Sequence, residues 1–248
     1  MEANLPKIEL FGCPVHSLTM GETVTVIDNN IRQRLRLQHV VVNAAKLVNM
    51  QKDPVLRESV VNSDMINADG QAVVWASRGL GRPLPERVTG MDLRGILGKR
   101  AYVRNYRILF LGAKEEVVTK AVDRYSHEFS PVIIAGYRNG YFSREEEAGV
   151  ARLIADSRAD ILFVAMTSPK KEIFLHTYKD VIDTTFIMGV GGSFDVVSGI
   201  TRRAPAWMQR NGLEWLYRVM QEPRRMWKRY LVTNTLFIIM TIKHKLKQ

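Results

Sequence analysis

The feature that most constrains this chain is a series of short, largely apolar runs separated by amphipathic segments. The runs are four or five residues long, rich in β-branched side chains, and do not alternate between apolar and polar residues. Continuous apolar character is typical of strands buried on both faces, as in a parallel sheet. The predicted strands are 39–43, Ile108–Gly112, 132–136, Ile161–Ala165 and Phe186–Gly189.

Segments with helical patterning lie between these strands. Ser143, followed three residues later by Glu146, forms a capping box that predicts a helix start at Ser143. Alternating strands and helices indicate an open, mostly parallel α/β sheet with helices on both faces, a Rossmann-like fold. The predicted helices are 53–63, Gln71–Gly79, 115–129, 143–157 and 170–183.

Polar or glycine residues follow the predicted strands. Parallel strands end at one edge of a sheet, and open α/β sheets bind ligands at that edge, so these residues are predicted to share one site. The residues at the strand ends are Asn43, Asp69 with Gly70, Gly112, Gly136 with Tyr137, 167–172 and 189–192.

Asp69 is the most informative of these residues, because it lies at a strand-to-helix turn. A carboxylate there can act as a general base, and the helix N-terminus beside it can bind an anion. This pattern favours an enzyme that acts on a phosphate-bearing substrate. Alternatively, Asp69 is a helix cap or turn residue, and Arg87 and Asp92 form a structural ion pair across the loop at Thr89.

Gly189, Gly191 and Gly192 follow the last predicted strand. Glycines at this position let the backbone approach a diphosphate closely, although a tight turn explains them equally well. The G-x-G-x-x-G pattern of dinucleotide-binding proteins does not occur, so a nicotinamide-dependent enzyme is not favoured.

The segment that begins at Ser168 and Pro169 is predicted to start a helix, with the serine as its cap. Lys170 and Lys171 would then be placed to meet a phosphate or a sugar carboxylate. The alternative is a well-capped helix whose first turn is solvated.

Neither metal nor thiol chemistry is predicted. The five histidines show no ligand-like spacing, and no Asp-x-Asp pair is present to hold a divalent metal on a nucleotide diphosphate. The single cysteine, Cys13, excludes an intramolecular disulfide and is interpreted as a small buried apolar residue.

The positive charge is concentrated at the C-terminal end. The formal net charge is +11, and residues 199–248 carry 11 Lys or Arg and two Glu, which leaves +2 for the rest. Tryptophans and arginines alternate there before a mainly apolar run at 231–242, which is too short to span a bilayer. This combination favours docking at an anionic membrane surface over a packed helix with a solvated basic face. No motif supports nucleic-acid binding.

Six ordered segments resemble the WecG/TagA/CpsF glycosyltransferases of bacterial surface-polysaccharide synthesis. The resemblance covers about residues 8–230 and rests on motifs whose order and spacing match that family. The matching segments are 67–70, 85–93, 168–172, 189–195, 203–205 and 213–218.

The resemblance implies an inverting transfer, without metal or cofactor, from a UDP-sugar to a sugar linked through diphosphate to a polyprenyl lipid. The implied donors carry a hexose or N-acetylhexosamine, namely glucose, N-acetylmannosamine or its uronic acid. The implied location is peripheral, on the cytoplasmic face of the bacterial inner membrane, and family members self-associate. The alternative is a non-catalytic membrane-surface module that binds nucleotide-sugars or lipid diphosphates.

The same resemblance assigns roles to residues. Asp69 matches the general base, and Arg218 and Arg225 match arginines that face the diphosphates. We expect residues 1–198 to form the catalytic core and 199–248 to form a basic helical appendage that docks on the membrane and completes the site. The expected substrate-binding residues are Asn43, Gly70, Arg87, Thr89, Asp92, Tyr137, Pro169, Lys171, Glu172, Gly189, Gly191, Gly192, Asp195, Arg203 and Lys228.

The chain departs from the family pattern at several positions. Val41 stands where threonine is common, Thr167 replaces a glycine, and Lys228 stands where an arginine is usual. Lys171 replaces a glutamine that contacts the donor sugar in the family. Our hypothesis is that this lysine favours an acidic or differently hydroxylated donor sugar.

Overall fold

The structure is a computed structural model that describes residues 5–247, apart from the side chain of Arg225. Its centre is a six-stranded sheet in the order β4-β3-β8-β7-β5-β6, and every pairing in this sheet is parallel. A separate antiparallel pair, β1 (Lys7–Leu10) and β2 (Cys13–His16), precedes it. The sheet strands are β3 (Leu37–Val42), β4 (Met65–Ala68), β5 (Ile108–Gly112), β6 (Ile134–Arg138), β7 (Ile161–Ala165) and β8 (Phe186–Gly189).

Twelve α-helices are assigned within the described residues, most of them in the connections between strands. They are α1 (Met20–Arg32), α2 (Ala44–Met50), α3 (Pro54–Val61), α4 (Gln71–Gly79), α5 (Gly90–Arg104), α6 (Glu115–Glu128), α7 (Glu147–Asp156), α8 (Lys170–Thr177), α9 (Ser193–Val197), α10 (Ala206–Arg210), α11 (Glu214–Gln221) and α12 (Pro223–Lys245).

Successive side chains of each central strand enter different hydrophobic cores. Ile108 and Phe110 of β5 are buried against α1, α5, α6 and α9, whereas Leu109 and Leu111 are buried against α7 and α8. This is the period-two alternation of a strand with both faces covered. The predicted Rossmann-like sheet with helices on both faces is therefore confirmed.

Three predicted boundaries are wrong. The helix predicted at 170–183 already ends at Thr177. The other two errors have local reasons. The strand predicted at 132–136 begins only at Ile134, because Pro131 opens a short 3-10 turn, Pro131–Ile133. The helix predicted from Ser143 begins at Glu147. The Ser143 N–H does donate to Glu146 Oε2 at 2.8 Å, but residues 144–146 form a separate turn.

The C-terminal segment lies against the core through its last helix. Phe237 of α12 is buried with the residues of α2, α3 and α4, and its ring meets Phe11 edge-on at 5.6 Å. Within the described residues, no helix combines the length and the apolar character needed to cross a bilayer. The division of the chain at residue 198 stays a prediction.

A polar pair is buried between β3 and β4. His39 and Asn67 are both fully buried, and His39 Nε2 lies 2.9 Å from Asn67 Oδ1. Burial lowers the pKa of His39 to about 4, because the hydrogen bond to Asn67 offsets only part of the desolvation. The histidine is therefore neutral in the folded protein at pH 7.

The neutral state of His39 predicts a pH-dependent loss of stability. The unfolded chain binds a proton near pH 6.5 and the folded chain only near pH 4, so stability falls as the pH drops through this window. Between pH 7 and pH 5 the loss from this residue is about 2 kcal/mol. Urea unfolding at both pH values should show this difference between wild type and His39→Gln. An identical pH dependence in the two proteins would contradict the assignment.

Candidate active site

Asp69 lies at the carboxyl edge of the sheet, immediately after β4. Its N–H donates to Val42 O at 2.9 Å, which continues the β3–β4 pairing by one residue. Gly70 then caps α4, and a β-carbon at Gly70 would lie 3.4 Å from that of Asn43. The structure therefore brings together Asn43, Asp69 and Gly70, as predicted from the strand ends.

The Asp69 carboxylate is half-buried and accepts a hydrogen bond from the first residue of α5. The Gly90 N–H donates to Asp69 Oδ1 at 3.2 Å, and Val88 N–H donates to Ala68 O at 2.8 Å, which fixes the incoming loop. Burial raises the pKa of Asp69, although this hydrogen bond and the positive charge of Arg218 oppose the shift. A raised pKa makes the carboxylate a better proton acceptor near neutral pH.

A buried cluster of three charged side chains lies beside this carboxylate. Lys46 Nζ is 2.8 Å and Lys171 Nζ 3.3 Å from the same oxygen, Glu172 Oε1. Burial raises the pKa of Glu172, but the two ammonium groups outweigh that effect and lower it to about 2. Burial lowers the pKa of Lys171, and the glutamate opposes that shift. The lysine is thus placed against Glu172, and its role as a donor-sugar contact stays a prediction.

The absence of a side chain has different consequences at the individual strand-end glycines. A side chain at Gly189 would meet Lys171, with Cε only 2.5 Å from the added β-carbon, and one at Gly112 would meet the Ala165 backbone at 2.6 Å. These two glycines permit close packing within the protein. Gly191, with φ of +51°, faces open space, so it leaves room for a ligand.

Four charged side chains of alternating sign connect the core to α11. Arg87 Nη1 donates to Glu214 Oε2 at 2.7 Å, and Arg203 Nε lies 3.7 Å from Glu214 Oε1. Arg203 Nη1 in turn lies 2.7 Å from Asp92 Oδ1. We call Asp92, Arg203, Glu214 and Arg87 the charge chain. The direct Arg87–Asp92 pair considered from the sequence is wrong, because each residue pairs with a partner far along the chain.

Asp92 also connects the charge chain to the start of α5. The Thr89 hydroxyl accepts from Asp92 N at 3.2 Å and donates to Asp92 Oδ2 at 2.6 Å. Burial opposes ionisation of Asp92, but Arg203 and Thr89 outweigh it and hold the pKa of this carboxyl below its usual range.

A cavity of about 50 Å³ separates the glycine-rich loop after β8 from α11. Gly192 and Asp195 line it from the core, while Arg203 and Arg218 line it from the C-terminal segment. Nη2 of Arg203 is buried and has no hydrogen-bond partner among the described residues, so a donor is available there. Drug-sized ligands need roughly 300 Å³ or more, so this cavity is too small to hold a nucleotide-sugar as it stands.

Several predicted residues are not among those that line the cavity. Tyr137 is in the edge strand β6, five strand spacings of about 4.8 Å from β4, hence roughly 24 Å away. Lys228 is exposed on α12. Pro169 precedes α8, and Ser168 does not cap that helix. The side chain of Arg225 lies outside the described part of the structure.

Metal-ligand and thiol groups are not assembled at the site. Among residues 5–247, no three His, Cys, Asp or Glu side chains form a group that could hold a metal ion. Cys13 is buried, and burial raises the pKa of its thiol to about 12, in agreement with an apolar packing role.

Comparison with known proteins identifies the family. The chain matches the glycosyl transferase WecG/TagA/CpsF family over residues 8–248. The chain belongs to this family. Two similar relatives are named N-acetylglucosaminyldiphosphoundecaprenol N-acetyl-beta-D-mannosaminyltransferase. The protein from Bacillus spizizenii is 38% identical over 189 residues, 76% of this chain and 72% of the relative. The protein from Bacillus subtilis is 39% identical over 180 residues, 73% of this chain and 69% of the relative.

Membership of the WecG/TagA/CpsF family makes the protein a glycosyltransferase and confirms the resemblance drawn from the motifs.

Sequence reasoning missed two residues of the site, Lys46 and Glu214. Lys46 lies in the first turn of a short helix that was not predicted, three residues after Asn43. Glu214 was present in a matching motif but carried no role, because its partners are more than ten residues away in sequence.

Proposed function

We propose that this protein transfers an N-acetylhexosamine residue from a UDP-sugar to a sugar carried on a polyprenyl diphosphate. The observation that carries the proposal is the half-buried Asp69 carboxylate at the carboxyl edge of the sheet, with its pKa raised and the Arg218 charge nearby. The two Bacillus relatives are named for the transfer of N-acetylmannosamine to a lipid diphosphate-linked N-acetylglucosamine. We carry this reaction class over to the present chain.

In the proposed reaction Asp69 acts as the general base. The acceptor hydroxyl oxygen attacks the anomeric carbon of the donor, and Asp69 takes the hydroxyl proton as the new glycosidic bond forms. The bond between the anomeric carbon and the diphosphate oxygen breaks, and UDP leaves with the bonding electron pair. Attack opposite to the leaving group inverts the anomeric configuration.

We assign the leaving diphosphate to the cationic side of the cavity. Arg218 and Arg203 line this cavity together with Gly192 of the loop after β8. Guanidinium groups bind phosphate oxygens in a bidentate manner and stabilise negative charge that develops in the transition state. This arrangement supports a transfer that does not depend on a metal ion.

The charges around Asp69 favour a neutral donor sugar. Lys46 and Lys171 carry two positive charges, and Glu172 and Asp69 carry two negative charges, so the group has no net charge. A uronic acid would find no unpaired cation at Lys171, because that ammonium already lies against Glu172. We therefore favour N-acetylmannosamine over its uronic acid.

The decisive experiment measures UDP release from UDP-N-acetylmannosamine, its uronic acid, UDP-N-acetylglucosamine and UDP-glucose, with or without undecaprenyl-diphosphate-linked N-acetylglucosamine. Wild type should release UDP only with the acceptor, and Asp69→Asn should lower kcat by at least about 100-fold. EDTA should leave the wild-type rate unchanged.

The matched control is Asp64→Asn, at the other end of β4, where the carboxylate accepts from Gln38 N at 2.6 Å. This variant should retain near wild-type turnover. Equal rates for Asp69→Asn and wild type would remove Asp69 from the mechanism. Donor binding without turnover on any lipid acceptor would instead support a binding module.

We also propose that α12 docks the enzyme on the cytoplasmic face of the inner membrane. Trp227, Leu231, Ile238 and Ile242 of α12 and Leu246, which follows the helix, are all exposed, and their spacing places them on one side of the helix, turned away from the buried Phe237. We call these five residues the apolar stripe. The exposed basic residues at its two ends are Arg224, Lys228, Arg229, Lys243, Lys245 and Lys247. An apolar face flanked by cations is typical of helices that lie in an anionic interface.

The apolar stripe predicts a specific loss of membrane binding. Leu231→Gln combined with Ile238→Gln should weaken partitioning to vesicles of phosphatidylglycerol and phosphatidylcholine by about tenfold, because two large apolar side chains no longer enter the interface. Val103→Gln with Val132→Gln, two exposed apolar residues elsewhere, is the control. Equal binding of both double variants in a vesicle sedimentation assay would exclude the stripe as the docking surface.

A further inference from the structure

Glu214 is the residue of the charge chain that contacts both of its arginines. Its carboxylate is hydrogen-bonded to Arg87 at 2.7 Å and lies 3.7 Å from Arg203, so one acidic side chain of α11 contacts two arginines of other segments. About a quarter of the Glu214 side chain is exposed, and Arg87 and Arg203 are also largely covered. Partly buried, charge-assisted contacts of this kind fix geometry better than exposed surface pairs do.

The position of Glu214 on α11 determines where Arg218 lies. The two residues are four positions apart, so they project from the same side of the helix, about 6 Å apart along its axis. Arg218 is near enough to Asp69 for its charge to oppose the rise in the pKa of that carboxyl. Any shift of α11 that breaks the Glu214 contacts therefore also displaces Arg218 from the cavity.

The other end of the charge chain is anchored to the elements that hold Asp69. Arg87 lies in the loop whose next residue, Val88, donates to Ala68 O. Asp92 lies in the first turn of α5, whose first residue, Gly90, donates to the Asp69 carboxylate. Both partners of Glu214 are thus connected, directly or through one further residue, to the segment that fixes the base.

We propose that Glu214 is a positioning residue that holds α11 closed on the core and places Arg218 at a fixed distance from Asp69. The small cavity between α11 and the loop after β8 shows that the closed arrangement leaves too little room for a nucleotide-sugar to enter. In this proposal the contacts of Glu214 open to admit the donor and re-form once it is bound. This inference rests on the proposed transferase function, in which Arg218 stabilises the leaving diphosphate.

A double-mutant cycle tests whether Glu214 acts through Arg218. Glu214→Gln keeps the shape of the side chain and removes its charge, and should lower kcat about 10- to 100-fold with little change in the KM for the UDP-sugar. Arg218→Gln should lower kcat about 100-fold or more. Adding Glu214→Gln to Arg218→Gln should lower kcat by at most about a further twofold. Without the arginine side chain, the loss of Glu214 can no longer act by displacing it.

The control for this cycle is Glu128→Gln, which removes a carboxylate from an ion pair with Arg124 on the surface of α6. It should leave kcat unchanged. A full 10- to 100-fold loss on adding Glu214→Gln to Arg218→Gln would overturn the proposal, as would an unchanged kcat in Glu214→Gln alone.

Amide hydrogen exchange tests the closed contact without any substrate. Glu214→Gln should increase exchange in residues 201–222, while exchange in β3, β4 and β5 stays at the wild-type level. Unchanged exchange in 201–222 would overturn the positioning role. If wild type transfers no sugar from any donor, the proposed function fails, and increased exchange in the variant would still establish Glu214 as the contact that closes α11.

Discussion

The parallel pairing of β3 with β4 is the constraint on which the site depends. It extends past the strands through the hydrogen bond from Asp69 N to Val42 O, and the loop that leads to α5 joins the same edge through Val88. The Asp69 carboxylate consequently meets the free N–H of Gly90 at the beginning of α5. A backbone arrangement thus determines where the proposed base lies and which N–H group donates to it.

Most charged side chains around Asp69 are paired within the protein, and these pairs indicate which charged groups are left to bind substrate. Lys46 and Lys171 both bind Glu172, and the charge chain joins α11 to the elements around Asp69. Arg218 is exposed and lines the cavity with Arg203, and the proposed mechanism assigns these two guanidinium groups to the leaving diphosphate. In the proposed account, the contacts that bring Arg218 into place also hold α11 against this small cavity.

Sequence patterns predicted the sheet because its strands are continuous apolar runs. β5, β7 and β8 begin and end at the predicted residues, whereas β6 was misplaced where a proline interrupts the run. The carboxyl-edge rule also indicated Asn43 and Asp69. Pairing partners could not be predicted in this way, because the contact between Arg87 and Glu214 joins residues 127 positions apart. The family motifs indicated candidate site residues, but not which of them contact each other.

The most direct test of the central claim is the pH dependence of kcat/KM for wild type and Arg218→Gln. Burial raises the pKa of Asp69 and the charge of Arg218 opposes that shift, so removal of the charge should raise the pKa further. The account predicts that the acidic limb of the profile moves to higher pH in the variant, because less of the carboxylate is ionised at a given pH. A limb that stays in place or moves to lower pH would contradict Asp69 as the base beside Arg218.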